Sequence, residues 1–420
     1  MKYFKDYIKI LEAELVPACG CTEPISLSYG AAVCRKVLGE EPEEIKVYCS
    51  GNIVKNVRCV NIPHSNGMVG IEAATALGAI GGDPERELEV LESVNDEDIN
   101  KAKELIETGK VSVELLETEI PLHYIVELKS GENSASVEIM NDHQGIVKII
   151  KNNEVIKEAR QTAQQNTEIY NSLTLEGIKT FSDNIELSLI KDILYRQIEC
   201  NMAIAEKGLE GGYGVNIGRI ILENYPDGEL TRMKAYAAAA SEARMGGCEM
   251  AVIVNSGSGN QGICASVPVI VYAREKNLGE EKLLRGLAFS NLLTVYQKMF
   301  IGKLSAFCGV VSAGCASGAA VTYMVDGSIS RIQKTIENTL ANIPGIICDG
   351  AKVSCASKIA SSIDAAFLSH KMAMRDEGYK AQTGILQKTA NETIFSVGLI
   401  GKEGMKQTDK EILKIMLKNK

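Results

Sequence analysis

Apolar residues recur at helical spacing from the start of the chain, at Tyr3, Tyr7, Ile8, Leu11 and Leu15, and Pro17 ends the run. The helix this predicts over 3–16 delivers the chain into Ala18-Cys19-Gly20-Cys21-Thr22-Glu23-Pro24. A second helix is predicted over 25–38. Ile45 to Cys49 and Val54 to Val60 read as short strands, Asn61 to Gly67 as turn chemistry, and the Ala/Gly-rich 70–81 as a helix with small packing residues. Residues 85–107 are charged and helical in pattern. The period then shortens: Val111 to Leu115, His123 to Leu128, Ser134 to Ile139 and Ile146 to Ile150 read as strands of a small antiparallel unit. Beyond a polar stretch at 159–168, the chain reads as mostly helical, rich in Ala, Gly and Ser, and broken by glycine loops. The expectation is an α+β fold in three parts: an N-terminal α+β region over 1–110, a small β unit over 111–165 and a mainly helical domain over 166–420.

Composition narrows the function classes. A chain of 420 residues with 45% hydrophobic and 24% charged residues is long enough to bury a sizeable core. The formal charge of −9 and the lack of a long basic run argue against electrostatic binding of nucleic acid. No uncharged stretch has bilayer length, and the N-terminal segment lacks the apolar core of a signal peptide, so no membrane role and a cytoplasmic location are expected. Twelve cysteines in such a chain point to metal binding or catalysis more than to disulfides. With only four histidines, thiolates are the favoured ligands.

Three segments carry candidate chemistry. In Cys19-Gly20-Cys21-Thr22-Glu23-Pro24, a thiol at a helix N-terminus feels the partial positive charge of unsatisfied N–H groups, which lowers its pKa. A buried cysteine packed as a small apolar group is the alternative. Asn255-Ser256-Gly257-Ser258-Gly259-Asn260-Gln261-Gly262 follows an apolar run and exposes backbone N–H groups. It lacks the Lys-Ser/Thr of a P-loop and stands in no βαβ unit, so a carboxylate site or an ordinary loop fits it better than a nucleotide site. Gly211 to Gly218 is a further glycine-rich segment, read as a connection. The third comprises Cys308, Cys315, Cys348 and Cys355. On one continuous helix, Cys348 and Cys355 would stand about 10 Å apart; a break at Asp349-Gly350 would fold Cys348 back toward Cys355, and a third thiolate would complete an iron–sulfur site.

Taken together these segments resemble the L-cysteine desulfidase family, which is related to the α-chain of the iron–sulfur L-serine dehydratases. The resemblance spans essentially the whole chain. It is carried by Val16 to Pro24, Ser50-Gly51-Asn52-Ile53-Val54-Lys55-Asn56, Ile62-Pro63-His64-Ser65-Asn66-Gly67-Met68-Val69-Gly70, and the glycine-loop and cysteine segments. It implies an oxygen-sensitive lyase with a [4Fe–4S] cluster that converts L-cysteine into sulfide, ammonia and pyruvate, and a homodimer. Carried over by position, the cluster ligands fall on Cys308, Cys348 and Cys355 and the base on Cys21, with Cys264 and Cys315 as competing ligands. Ser65, Asn66, Ser256, Asn260 and Gln261 are assigned to the substrate's carboxylate and ammonium. His64 is a candidate helper, with a structural turn histidine as the other reading. No cysteine follows Cys355, so a C-terminal ligand of the kind some serine dehydratases carry is absent. L-Serine is the rival substrate. Pyridoxal-phosphate chemistry, with Lys303 or Lys352 as the Schiff-base lysine, and a non-catalytic binding protein are the other readings.

Overall fold

The computed structural model describes residues 3–159, 168–302 and 304–418. Most of the polar stretch at 159–168, and Lys303, lie outside the described residues. The fold is α+β: a helical body, a mixed six-stranded sheet and a two-stranded antiparallel ribbon.

The ribbon pairs β1 (Pro17–Cys19) with β8 (Ala251–Ile253). The sheet runs in the order β3 (Val111–Leu115), β2 (Glu44–Cys49), β4 (His123–Ser130), β5 (Asn133–Met140), β6 (Ile146–Lys151), β7 (Glu154–Glu158). Alternation along β4 and β5 turns Tyr124, Val126, Leu128, Val137 and Ile139 to a buried face, which packs on the helix Thr22–Leu38. There the Tyr124 and Ser26 hydroxyls are 2.8 Å apart.

The strands expected over 111–150 are present, with two differences. β2 enters the sheet between β3, parallel to it, and β4, antiparallel to it. The boundary expected at residue 110 therefore runs through one sheet. The unit is also mixed, because the chain runs from β2 to β3 through the helices Gly51–Val57, Gly70–Gly81 and Asp96–Glu107, a crossover that brings the two strands in parallel.

Val54 to Val60, expected as a strand, is largely helical: Gly51–Val57 forms a helix whose first turn is capped by Ser50, its hydroxyl accepting from Ile53 N–H at 3.4 Å. Ile53 and Val57, four apart, share its buried face. Residues 85–107 form a short 3₁₀ segment, Pro84–Glu89, before a separate helix begins at Asp96. Asn95 and Asp98 make a capping box that starts this second helix. The helix over 70–81 is as expected, Gly70–Gly81.

The helical body includes Glu229–Met245, Gly259–Glu275, Glu280–Ile301, Val310–Val325 and Cys355–Met374. Small residues let these helices approach closely. A Cβ added at Gly314 or Gly318 would lie 2.8 or 2.7 Å from the side chains of Ser362 and Ala366 on the facing helix. The ribbon ties this body to the N-terminal region, and the chemistry of the molecule gathers where the two meet.

Candidate functional site

Pairing of β1 with β8 sets two loops side by side, the Cys19–Glu23 turn and the Asn255–Ser258 loop. Gly20, with φ +69°, turns the chain so that Cys21 occupies the N-cap of the helix Thr22–Leu38 in extended conformation. The Thr22 hydroxyl lies 2.7 Å from the Gly257 carbonyl and clips the two loops together. Cys21 Sγ donates to Glu23 Oε2 at 3.2 Å, and Asn56 Nδ2 donates to Glu23 Oε1 at 3.1 Å. Burial pushes the Cys21 thiol well above its ordinary pKa; the Glu23 carboxylate adds to this and the Arg244 charge opposes it. The expected lowering by the helix N-terminus is thus overturned. Desolvation and a carboxylate within hydrogen-bond reach outweigh a fraction of a charge on the amides.

The cysteine side is built by a short backbone pairing. Phe307 and Ile347 form a bridge, Cys308 N–H donates to the Ile346 carbonyl at 2.8 Å, and Cys348 N–H donates to the Ala306 carbonyl at 2.7 Å. Cys308 lies just before the helix Val310–Val325, and Cys355 is the first residue of the helix Cys355–Met374. Between them Gly350 turns at φ +93°, where a Cβ would stand 2.3 Å from the Lys55 carbonyl. The break expected at Asp349-Gly350 is therefore present, and it frees Cys348 from any helix. A hydrogen bond from Cys308 pulls the Cys348 thiol below its ordinary range against its burial, with the Lys55 and Lys358 charges and the Gly350 N–H helping. The same hydrogen bond, with burial and the nearby Cys348 charge, holds Cys308 well above the ordinary thiol range. Burial raises Cys355 as well. Lys352 and Lys358 brace the turn through Asp349, at 2.6 and 2.5 Å.

One cavity of about 70 Å³ joins the two sides. Of the residues singled out from the sequence, Cys21, Ser256, Asn260, Gln261, Cys308, Cys348 and Cys355 line it. Glu23, Asn56, Arg244 and Lys298 line it too, and sequence reasoning missed them as site residues. Burial pushes the Lys298 ammonium down to about 8, with Cys308, Cys348 and Glu23 pulling the other way. Arg244 Nη1 donates to Asn260 Oδ1 at 3.2 Å; its Nε and Nη2, together with Asn56 Oδ1 and Gln261 Oε1, are buried without a hydrogen-bond partner among the described residues.

Other expected residues stand elsewhere. Ser65 closes its own turn, its hydroxyl donating to the Ile62 carbonyl at 2.6 Å and accepting from Met68 N–H at 2.9 Å. The Asn66 amide donates to Asp96 at 3.1 Å on the surface. Neither lines the cavity, because the turn that carries them uses their polar groups locally. His64 sits 3.6 Å from Glu249 and 3.9 Å from Cys19, also outside it. Cys264 donates to the Val310 carbonyl at 3.4 Å, and Cys315 is buried within the helix Val310–Val325; neither lines the cavity.

The donor chemistry fits an iron–sulfur cluster: Cys308, Cys348 and Cys355 are unbridged, largely buried, and share one cavity flanked by lysines. Among the described residues, no three His, Cys, Asp or Glu side chains are grouped tightly enough to hold a single metal ion. No helix is long and apolar enough to cross a membrane, again among the described residues.

Comparison with known proteins places this geometry in a family. A family model described as serine dehydratase alpha chain matches residues 85–414. The chain is 46% identical to a UPF0597 protein of Lachnoclostridium phytofermentans, over 99% of this chain and 100% of the relative. It is 45% identical to a UPF0597 protein of Finegoldia magna over 98% of this chain and 99% of the relative. A UPF0597 protein of Desulfitobacterium hafniense is 44% identical over 99% of this chain and 97% of its own length. The cysteine-lined cavity thus lies in a chain that belongs to the serine dehydratase alpha-chain family.

Proposed function

We propose that this chain is an iron–sulfur-dependent L-cysteine desulfidase, which splits L-cysteine with water into hydrogen sulfide, ammonia and pyruvate. The observation that carries the reading is the one cavity lined by Cys21 with Glu23 on one side and by Cys308, Cys348 and Cys355 on the other. These last three thiolates would hold a [4Fe–4S] cluster, which would supply Lewis-acid chemistry for a departing sulfur.

The chain's own residues account for the proton. Cys21 Sγ already donates to Glu23 Oε2 at 3.2 Å, so its proton passes to the carboxylate as sulfur takes the Cα proton. Asn56 holds Glu23 from its other oxygen and fixes the direction of that transfer. Loss of sulfide then leaves aminoacrylate, whose tautomerisation and hydrolysis need no further residue. Cys21, Glu23 and Asn56 are buried, which limits competition by water for these hydrogen bonds.

The family description favours a second reading, L-serine as substrate with hydroxide leaving. The softness match between iron and thiolate favours cysteine. Anaerobic kcat/KM for the two amino acids decides: we expect cysteine to exceed serine by at least about tenfold, the scale of one good ligand preference, and the reverse order overturns the assignment. We also propose a homodimer in the cytoplasm, which sedimentation of the holoprotein and cell fractionation test.

A further inference from the structure

Arg244 is a charged residue near the end of the helix Glu229–Met245, in the run Ala237-Ala238-Ala239-Ala240-Ser241-Glu242-Ala243-Arg244, and it is 2% exposed. A buried guanidinium is costly unless something anionic meets it. Its neighbour Glu242 is turned elsewhere, accepting from Val215 and Ile217 N–H at 2.6 and 2.8 Å. Among the described residues, the hydrogen bond Arg244 donates goes to the neutral Asn260 Oδ1, an oxygen it shares with the Ser241 hydroxyl at 3.0 Å. Arg244 lines the cavity, and its Nε and Nη2, the edge of the planar group that offers two parallel N–H bonds, are buried without a hydrogen-bond partner among the described residues.

The surrounding backbone makes room for this edge. A Cβ at Gly259 would stand 2.3 Å from Arg244 Nε and 2.6 Å from its Cζ, so glycine there is what lets the guanidinium lie against the start of the helix Gly259–Glu275. That helix start adds a second source of positive potential to the same place.

We propose that the Nε and Nη2 edge of Arg244 receives the α-carboxylate of the amino-acid substrate. The inference rests on the amino-acid lyase reading, and it is indifferent to whether cysteine or serine is the substrate. Two points support it over a role in holding the cysteines. A base that removes the Cα proton must stand close to the carboxylate, which is one bond from Cα, so receptor and base belong together. Two further groups that line the cavity without a hydrogen-bond partner among the described residues are acceptors, Asn56 Oδ1 and Gln261 Oε1, which complement an α-ammonium. Asn56 is fixed in this sense because its Nδ2 is spent on the Glu23 carboxylate. Carboxylate at Arg244, ammonium at the amide oxygens and side chain toward the cysteines make a three-point grip that selects one enantiomer.

The test uses the anaerobic holoprotein and two thiols that lack an α-amine and so cannot undergo the reaction, 3-mercaptopropionate and its neutral counterpart 3-mercaptopropanamide, with binding followed by calorimetry. The wild type is expected to bind the acid at least about tenfold more tightly than the amide, the strength of one charge-assisted pair. Arg244→Gln is expected to abolish that preference and raise the KM for the turned-over amino acid, with iron content and melting temperature unchanged. Arg244→Lys keeps the charge without the fork and is expected to fall between them. A wild type with no preference, or an Arg244→Gln that retains it, overturns the assignment. If Arg244→Gln loses iron or unfolds, Arg244→Lys decides, and a full wild-type preference in that variant overturns the assignment equally. A wild type that prefers the acid yet turns over neither cysteine nor serine leaves the carboxylate receptor standing and sinks the lyase reading. Sulfide release with an unaltered preference in Arg244→Gln does the opposite.

Discussion

In the proposed mechanism, Cys21 and Glu23 divide between them what a single low-pKa thiolate was expected to do. The thiol is held neutral by burial and by the carboxylate it donates to, so the pair moves a proton only as a pair. Glu23→Gln, which keeps the shape and loses the acceptor, is therefore predicted to lower kcat by about 100-fold or more, with iron content intact in an anaerobic iron assay. Cys21→Ser should likewise keep its iron and lose activity, whereas Cys348→Ser should lose both; equal iron loss in the two contradicts the division of roles. Cys21 and the Ser256 to Gln261 loop were legible because each belongs to a local motif with its own turn chemistry. Glu23 and Asn56 stood inside segments already quoted, yet their roles depend on one another across the fold. Arg244 and Lys298 lie in helices whose buried face only packing reveals. No local pattern sets Arg244 apart, since the helix Glu229–Met245 also carries Glu229, Arg232, Lys234 and Glu242.

At the scale of elements, the site depends on how helices begin and how closely they meet. Gly350 carries a positive φ and abuts the Lys55 carbonyl. Gly350→Ala is predicted to destabilise the fold by about 1–3 kcal/mol, as forced positive-φ backbone does, and to lower iron retention after anaerobic reconstitution; full retention would separate the turn from the thiols. Where the helices Val310–Val325 and Cys355–Met374 pack, Thr322 hydrogen-bonds His370 Nδ1 at 2.9 Å. Burial, with Lys371 adding, pushes His370 down to about 4 from its ordinary 6.5. The unfolded chain therefore binds more protons between these values, so the stability from a neutral His370 is complete above pH 6.5 and is lost as pH falls toward 4. The loss is at most about 3 kcal/mol, and the melting temperature of His370→Gln should depend less on pH across that window. Strands β2 to β6 were legible from their short apolar runs and alternation, whereas β1, β7 and β8 were not expected as strands; the helix Gly51–Val57 was missed because a seven-residue helix has too few turns to show its period.

Across the whole molecule, contacts distant in sequence hold the site. The C-terminal helix Lys406–Lys418 reaches back to the N-terminal region, where Asp409 pairs with the buried Lys55 and accepts from Asn52 at 3.2 Å. Asp409→Ala strands the Lys55 charge and is predicted to destabilise by about 3 kcal/mol, with faster amide exchange in residues 406–418; an unchanged melting temperature would show that the pair contributes little. That the boundary expected at residue 110 falls inside one sheet was not legible, since β2 and β3 are separated by three α-helices and a 3₁₀ segment and no local pattern announces their pairing. The central claim is that the cavity joining Cys21 to Cys308, Cys348 and Cys355 is the active site of an iron–sulfur cysteine lyase. Anaerobic purification, iron and acid-labile sulfide analysis, and sulfide release on addition of L-cysteine test it most directly. The account predicts a brown protein with about four irons per chain that releases sulfide, and a colourless, iron-free protein made without oxygen would contradict it.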